Sequence, residues 1–200
     1  MSGKKTTRLN STIQITLSTC FSILLLGSCV SLKTPKRSDL VKLKAPSLIG
    51  RYPVKVDRTV RINSIKDTVI SRPIWYFFKS SEAADTAELA KATHIELILT
   101  DQTHVTSKLY QDETLLKSEV IKGKIKNGYF RKKHDLSIAG VPPFYWSMTS
   151  NKIQFGLGKN GQLYIDQANE TNGSILIIMA GTPGFTTSYT VLPYVINKTL

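Results

Sequence analysis

The sequence predicts an all-β fold: an antiparallel up-and-down β-barrel of about 8–10 strands with one short helix, a β-sandwich being the alternative. Three observations carry this expectation. Short β-branched and aromatic runs recur along the chain. Gly, Asn, Asp and Pro interrupt them at intervals of roughly ten residues, giving strands at 47–55, 73–79, 93–100, 104–111, 114–125, 129–134, 143–149, 152–157, 161–167, 173–180 and 185–194. Two hairpins can moreover be set in register residue by residue.

In the first hairpin Ile95, Leu97 and Leu99 share one strand face, and Val105, Ser107 and Leu109 share one face of the next strand. Directly opposed side chains point to the same face, so Leu99 meets Val105 and Ile95 meets Leu109 across an odd-length loop around Asp101-Gln102-Thr103. Glu96 then falls opposite Lys108, a favourable pair that played no part in choosing the register. The second hairpin turns at Asn127-Gly128, the preferred two-residue type I′ sequence. Ile125 then faces Phe130, Lys124 faces Arg131 and Lys122 faces Lys133, with Lys126 beside the turn.

One segment breaks the β pattern. Ser81 to Ala92 is rich in Ala and Glu, with Ala83, Ala87 and Ala90 at helical spacing and Asp85 three residues before Glu88 as a capping box, so the short helix is expected there. Gly156 to Gly161 resembles a phosphate loop only superficially. The Gln162–Ile165 strand pattern follows it instead of a helix, which makes it a hairpin turn with Asn160-Gly161 at its tip. Asn169-Glu170-Thr171 and Asn172-Gly173-Ser174 match glycosylation sequons and read as a polar loop before a strand at Ile175–Met179.

The chain has 27 Lys+Arg against 14 Asp+Glu, a formal +13. Like charges directly opposite one another in a hairpin are destabilising. Lys122, Lys124, Lys126, Arg131 and Lys133 therefore mark either a contact with an anionic surface or a solvated edge that lysine protects from aggregation. Trp75-Tyr76-Phe77-Phe78 and Phe144-Tyr145-Trp146 are consecutive rings. On strands of a closed sheet, Trp75, Phe77, Phe144 and Trp146 would point inward, either to fill the core or to line a cavity for one small apolar ligand.

No catalytic residues, metal ligands or cofactor follow from the sequence. His94 and His104 fall at opposite ends of their hairpin, roughly 20 Å apart at about 3.3 Å per residue, too far to share a metal. His134 and Asp135 are strand neighbours and point to opposite faces. No Gly-x-Ser-x-Gly elbow is present. A Ser-His-Asp triad assembles from distant positions, so its absence is not decided at this level.

The amino terminus has the order of a secretory signal: Lys4, Lys5 and Arg8, then an apolar run from Ile13 to Leu26, then small residues. The run is short and polar for a membrane span, which needs about 20 apolar residues. An uncleaved anchor helix is the alternative. Leu26-Gly27-Ser28-Cys29 resembles a bacterial lipobox. That resemblance implies cleavage before Cys29, a diacylglycerol on its thiol and attachment to a membrane. Val30 stands where an Asp often retains such lipoproteins in the inner membrane, which favours the outer membrane. The expected organisation is a signal peptide at 1–28, a lipidated Cys and flexible tether at 29–45, and one domain at 46–200. Cys20 would leave with the signal, so the mature domain holds no free thiol. Losing Lys4, Lys5 and Arg8 leaves 24 basic residues against 14 acidic ones, a formal +10. Nucleic acid is a usual partner of such charge, and the export signal argues against it.

Beyond the lipobox, Leu48-Ile49-Gly50-Arg51-Tyr52 resembles the Gly-x-aromatic start of lipocalin-like or calycin barrels, and antiparallel strands follow it. A helix after the last strand, usual in that group, is not read here, and no binding residue is carried over. The expectation is a non-enzymatic envelope protein that binds an apolar or amphiphilic ligand, or an anionic lipid or glycan. A structural subunit of an envelope assembly, in contact with other envelope proteins, is the second expectation. A lipid or glycan hydrolase is the third.

Overall fold

The computed structural model describes residues 32, 35–62, 66–78, 86–141, 144–175 and 178–195. The expected signal, Cys29 and the expected cap at Asp85 lie outside them. Among the described residues the strands are β1 (Ser47–Pro53), β2 (Lys55–Ile62), β3 (Lys66–Pro73), β4 (His94–Leu99), β5 (His104–Gln111), β6 (Thr114–Lys126), β7 (Tyr129–Lys132), β8 (Asp135–Val141), β9 (Tyr145–Leu157), β10 (Leu163–Ile175) and β11 (Ile178–Val191). Two short helices, α1 (Trp75–Phe78) and α2 (Thr86–Lys91), join β3 to β4.

The main sheet is antiparallel and curled, in the order β1-β4-β5-β6-β7-β9-β10-β11, while β2 and β3 form a separate hairpin. β7 and β8 lie end to end along β9. β7 pairs with its Gln154–Gly156 segment, β8 with Tyr145–Asn151, and Lys133-His134 make the break. The result is a half-barrel meander, compatible with the curled sheets of calycins. The first and last strands share no ladder, yet Tyr194 just after β11 donates its backbone N–H to Arg51 O in β1 at 2.8 Å. The Tyr194 ring stacks on His94, which stacks in turn on Tyr110, with centroids 5.1 and 5.2 Å apart.

Both hairpin registers are as the alternation requires. Ile95 pairs with Leu109, Glu96 with Lys108 and Leu99 with Val105. Ile125 pairs with Phe130 and Lys124 with Arg131, and Lys133 N bonds Lys122 O at 2.7 Å. Asn127 and Gly128 both have positive φ, as a type I′ turn demands. Gly158 to Gln162 is the expected hairpin turn, closed by Gly158 N to Gln162 O at 2.8 Å.

β6 belongs to two halves of the sheet. Thr114–Lys122 pairs with β5 and Gly123–Lys126 pairs with β7. The corner is Gly123, where a Cβ would come within 2.3 Å of Arg131 O and 2.7 Å of the Phe130 ring. Only glycine allows that approach.

Several expectations are corrected. The 73–79 segment is not a strand: β3 ends at Pro73 and Trp75–Phe78 make a helical turn. A strand would alternate four large rings between two faces, whereas the turn buries Trp75, Phe77 and Phe78 together at the centre of the core. Burial outweighs β-propensity here. The β2–β3 hairpin and β8 were not expected. Lys55, Arg58, Arg61 and Lys66 disguise the former, and the Gly and Pro around 140–143 disguise the latter. The expected strands 143–149 and 152–157 are one strand, β9. The expected polar loop at Asn169–Ser174 is mid-strand in β10, where Gln167 donates to Asn151 and Asn169 and where Asn172 donates to Glu170. The sheet thus satisfies amides that suggested a turn in the sequence.

Part of the expected tether packs on the sheet from Arg37 onward. Residues 37–43 cross the convex face as a strap: Leu40 bridges Gly158, Val41 N bonds Leu157 O at 2.8 Å, and Lys159 N bonds Asp39 O at 2.9 Å. Arg37 docks on Asp166 with two hydrogen bonds, at 2.7 and 2.8 Å, and stacks over Tyr164 at 4.2 Å. Gln154 and Ser188 also donate to Asp166. Burial pushes the Asp166 carboxyl up, but these donors outweigh it and hold it below the usual range.

Candidate functional site

β9 and β10 pair over thirteen residues, and their two halves differ in kind. Around Ile153, Phe155, Leu163 and Ile165 the concave face is core. A polar belt ends that core: Arg72 donates to Gln167 at 3.1 Å and lies over the Phe77 ring, and Arg58 donates to Thr187 at 3.3 Å. Beyond the belt the sheet continues as β8-β9-β10-β11, and β8 is exposed along its whole length.

The concave face of this outer extension is sorted into rows by strand register. Ser137, Thr149 and Thr171 form a hydroxyl row, with Thr149 Oγ1 and Thr171 Oγ1 3.4 Å apart. Ala139, Ser147 and Gly173 form the next row, all small residues. Val141, Tyr145, Ile175 and Ile178 form the last, one residue from each of the four strands. Their exposures are 54, 57, 70 and 72 %, so an apolar row stands uncovered across the end of the sheet. The small row makes a floor and the apolar row a rim. Ala139, Ser147 and Gly173 with Tyr145 and Ile175 line an open groove of about 710 Å³, which Gly140, Trp146, Thr171, Ser174 and Gly181 also border; Val141 and Ile178 extend the apolar row beside it. Among the described residues no carboxylate, imidazole or ammonium lines it.

The basic hairpin lies on the opposite, convex face. Lys122, Lys124, Lys126 and Lys133 are exposed and Arg131 is half-buried. Arg131 Nε is buried without a hydrogen-bond partner. Lys132 points to the other face, and its ammonium is 2.8 Å from Asp135. On the convex face of the extension His134 Nε2 is 2.8 Å from Ser150 Oγ. Glu170, opposite Ser150 in register, accepts from Asn172. Among the described residues no carboxylate is hydrogen-bonded to His134, and no three His, Cys, Asp or Glu side chains cluster at metal-binding range.

The aromatic quartet read from the sequence is divided between two places. Trp75 and Phe77 belong to the filled core. Trp146 lines the groove, and Phe144 is exposed at the same end of the sheet. Of the residues that line the groove, Ala139, Gly140, Ser147 and Gly181 belonged to no motif read from the sequence, Tyr145 was read only as one of three consecutive rings, and Gly173 only as part of a sequon. A signal for them does exist: in a chain of +13, no Asp, Glu, Lys or Arg occurs in 136–151 or in 171–197.

Comparison of the chain with protein-family models, with curated proteins and with solved structures returned no match.

Proposed function

We propose that this chain is a non-enzymatic, lipid-anchored protein of the bacterial cell envelope whose half-barrel holds an amphiphilic molecule on the concave face of its outer extension. The observation that carries this reading is the groove, with its floor of Ala139, Ser147 and Gly173 and its rim of Tyr145 and Ile175. Small side chains let a hydrocarbon chain lie close against the backbone, and the hydroxyl row next to it suits a polar head. The anchor rests on the lipobox at Leu26–Cys29, and Val30 favours the outer membrane. The exposed convex-face cations Lys122, Lys124 and Lys126 are a separate contact, suited to anionic lipid or glycan.

A second reading, an interaction subunit of an envelope assembly, draws support from Phe185, Leu192 and Val195, which are exposed on and just after the last strand of the sheet. Native mass spectrometry of the processed chain, purified without detergent, tests the first reading. The expected result is a reproducible extra mass that leaves on organic extraction. A clean apo mass removes the ligand and leaves the interaction reading, for which crosslinking in cells should then recover one partner.

A further inference from the structure

We infer that the outer end of the β8–β11 extension is a membrane-inserting tip, and that its occupant is the phospholipid leaflet itself. The inference rests on the lipid-anchor reading for which bilayer is met and for the reach of the strap; the chemistry of the tip stands by itself.

The tip is uncharged in a strongly basic chain. Its end row, Val141, Tyr145, Ile175 and Ile178, is apolar or aromatic on all four strands. Tyr145 and Trp146 stand together at that end, the residue types that settle at a membrane–water interface, with Phe144 exposed beside them. Rows are two residues apart, about 7 Å at the rise of a strand. The apolar and small rows would therefore occupy the outermost ~7 Å, which matches the roughly 5–10 Å depth of interfacial elements. The hydroxyl row of Ser137, Thr149 and Thr171 then lies at headgroup level. Deeper entry is opposed by the outer edges of β8 and β11, which no strand among the described residues pairs, since unpaired backbone groups in hydrocarbon are costly.

The strap adds an argument that depends on the lipid-anchor reading. From Leu40 beside Gly158 back to Arg37 beside Asp166, the chain runs toward the tip. Asp166 to Ile175 is nine residues of strand, about 30 Å. Arg37 back to Cys29 is eight residues, at most about 29 Å when extended. A lipid on Cys29 and the tip can therefore reach one bilayer together.

The molecule carries a probe in Trp146, and its other tryptophan, Trp75, is sealed in the core. The exported chain, as the cell processes it, is mixed with vesicles of three parts phosphatidylcholine to one part phosphatidylglycerol carrying brominated acyl chains. Trp146→Phe supplies the background from Trp75. The expected result is quenching of the Trp146 emission, stronger with bromines near the carbonyls than near the chain ends. Ile175→Lys with Ile178→Lys, at exposed positions that leave the core untouched, should abolish it without changing the far-UV circular dichroism. Absence of quenching in the wild type, or quenching that survives the two lysines, overturns the inference. A dimer in solution that disperses with the lysine pair, without quenching, would assign the tip to a second copy instead. The mass of the amino-terminal peptide reports the anchor, and native mass spectrometry reports the groove ligand, so failure of either is separable from failure of the tip.

Discussion

The two ends of β9 and β10 share one pair of strands and one register, yet only one end is covered. At the root, Phe155 and Ile165 face each other under Trp75, Phe77 and Phe78, and Arg58 and Arg72 seal the border. At the tip, Tyr145 and Ile175 face each other under nothing within the described chain. Apolar residues paired across strands are therefore not evidence of a core by themselves. What separates the ends is the insertion between β1 and β4, which places the β2–β3 hairpin and α1 over the root alone.

Two tryptophans test this most sharply. Trp75→Ala removes a fully buried ring and is expected to cost about 3–5 kcal/mol, read by denaturant unfolding. Trp146→Ala should change stability by less than about 1 kcal/mol, because its ring covers no core. Equal losses would mean that the tip is a second core.

The strap is next. Asp166 has no exposed side-chain surface, and Asp166→Ala takes the carboxylate from Arg37, which keeps the Tyr129 hydroxyl as an acceptor. A loss of about 3 kcal/mol is expected, near the lower limit for a broken buried pair because Arg37 keeps some access to water. The pH dependence follows from the lowered carboxyl. The contribution of Asp166 is complete above its unfolded value of about 3.8 and is lost as pH falls through the folded one. Acid unfolding of wild type against Asp166→Asn checks the sign. At the sheet's corner, Gly123→Ala forces a methyl onto Arg131 O and is expected to cost about 1–3 kcal/mol.

How far the sequence spoke differs between the regions for a physical reason. Strand alternation and turn chemistry are local, so the 94–111 and 122–133 hairpins were legible to the residue. The identity of the cover is not local. Nothing in Trp75-Tyr76-Phe77-Phe78 alone says that a helical turn will bury three rings that a strand would split. Likewise, the amides of β10 read as a loop because their partners, such as Asn151, come from another strand. The groove was missed because its floor is made of Ala, Ser and Gly, residues that carry no chemistry to notice. They acquire meaning only once register sets them side by side.

On the convex face the comparison predicts a change in binding without a change in fold. Replacing Lys122, Lys124 and Lys126 with glutamine should alter stability by no more than about 0.5 kcal/mol, as these side chains are exposed. Binding to anionic vesicles should weaken, and its dependence on salt should flatten. Unchanged affinity and salt response would make the hairpin a solvated edge only.

The smallest expected effect concerns the clasp that draws the open ends of the half-barrel together at the root. His94 is nearly buried between the rings of Tyr110 and Tyr194, and Tyr194 N bonds Arg51. Burial, with Arg51 close by, holds the imidazole below its ordinary value of 6.5, while Glu96, Glu113 and Asp112 pull the other way. The folded state therefore prefers neutral His94. Its stability is full above the unfolded value of 6.5 and declines as pH falls from there toward the folded one. His94→Phe keeps a flat ring between the two tyrosines and removes the proton. Unfolding midpoints measured on either side of 6.5 should drop less in this variant than in wild type. An equal drop would place the titrating group elsewhere. If the clasp is what loosens, the amide protons of Tyr194 and its neighbours should exchange faster with falling pH, while those of β9 at Phe155 do not.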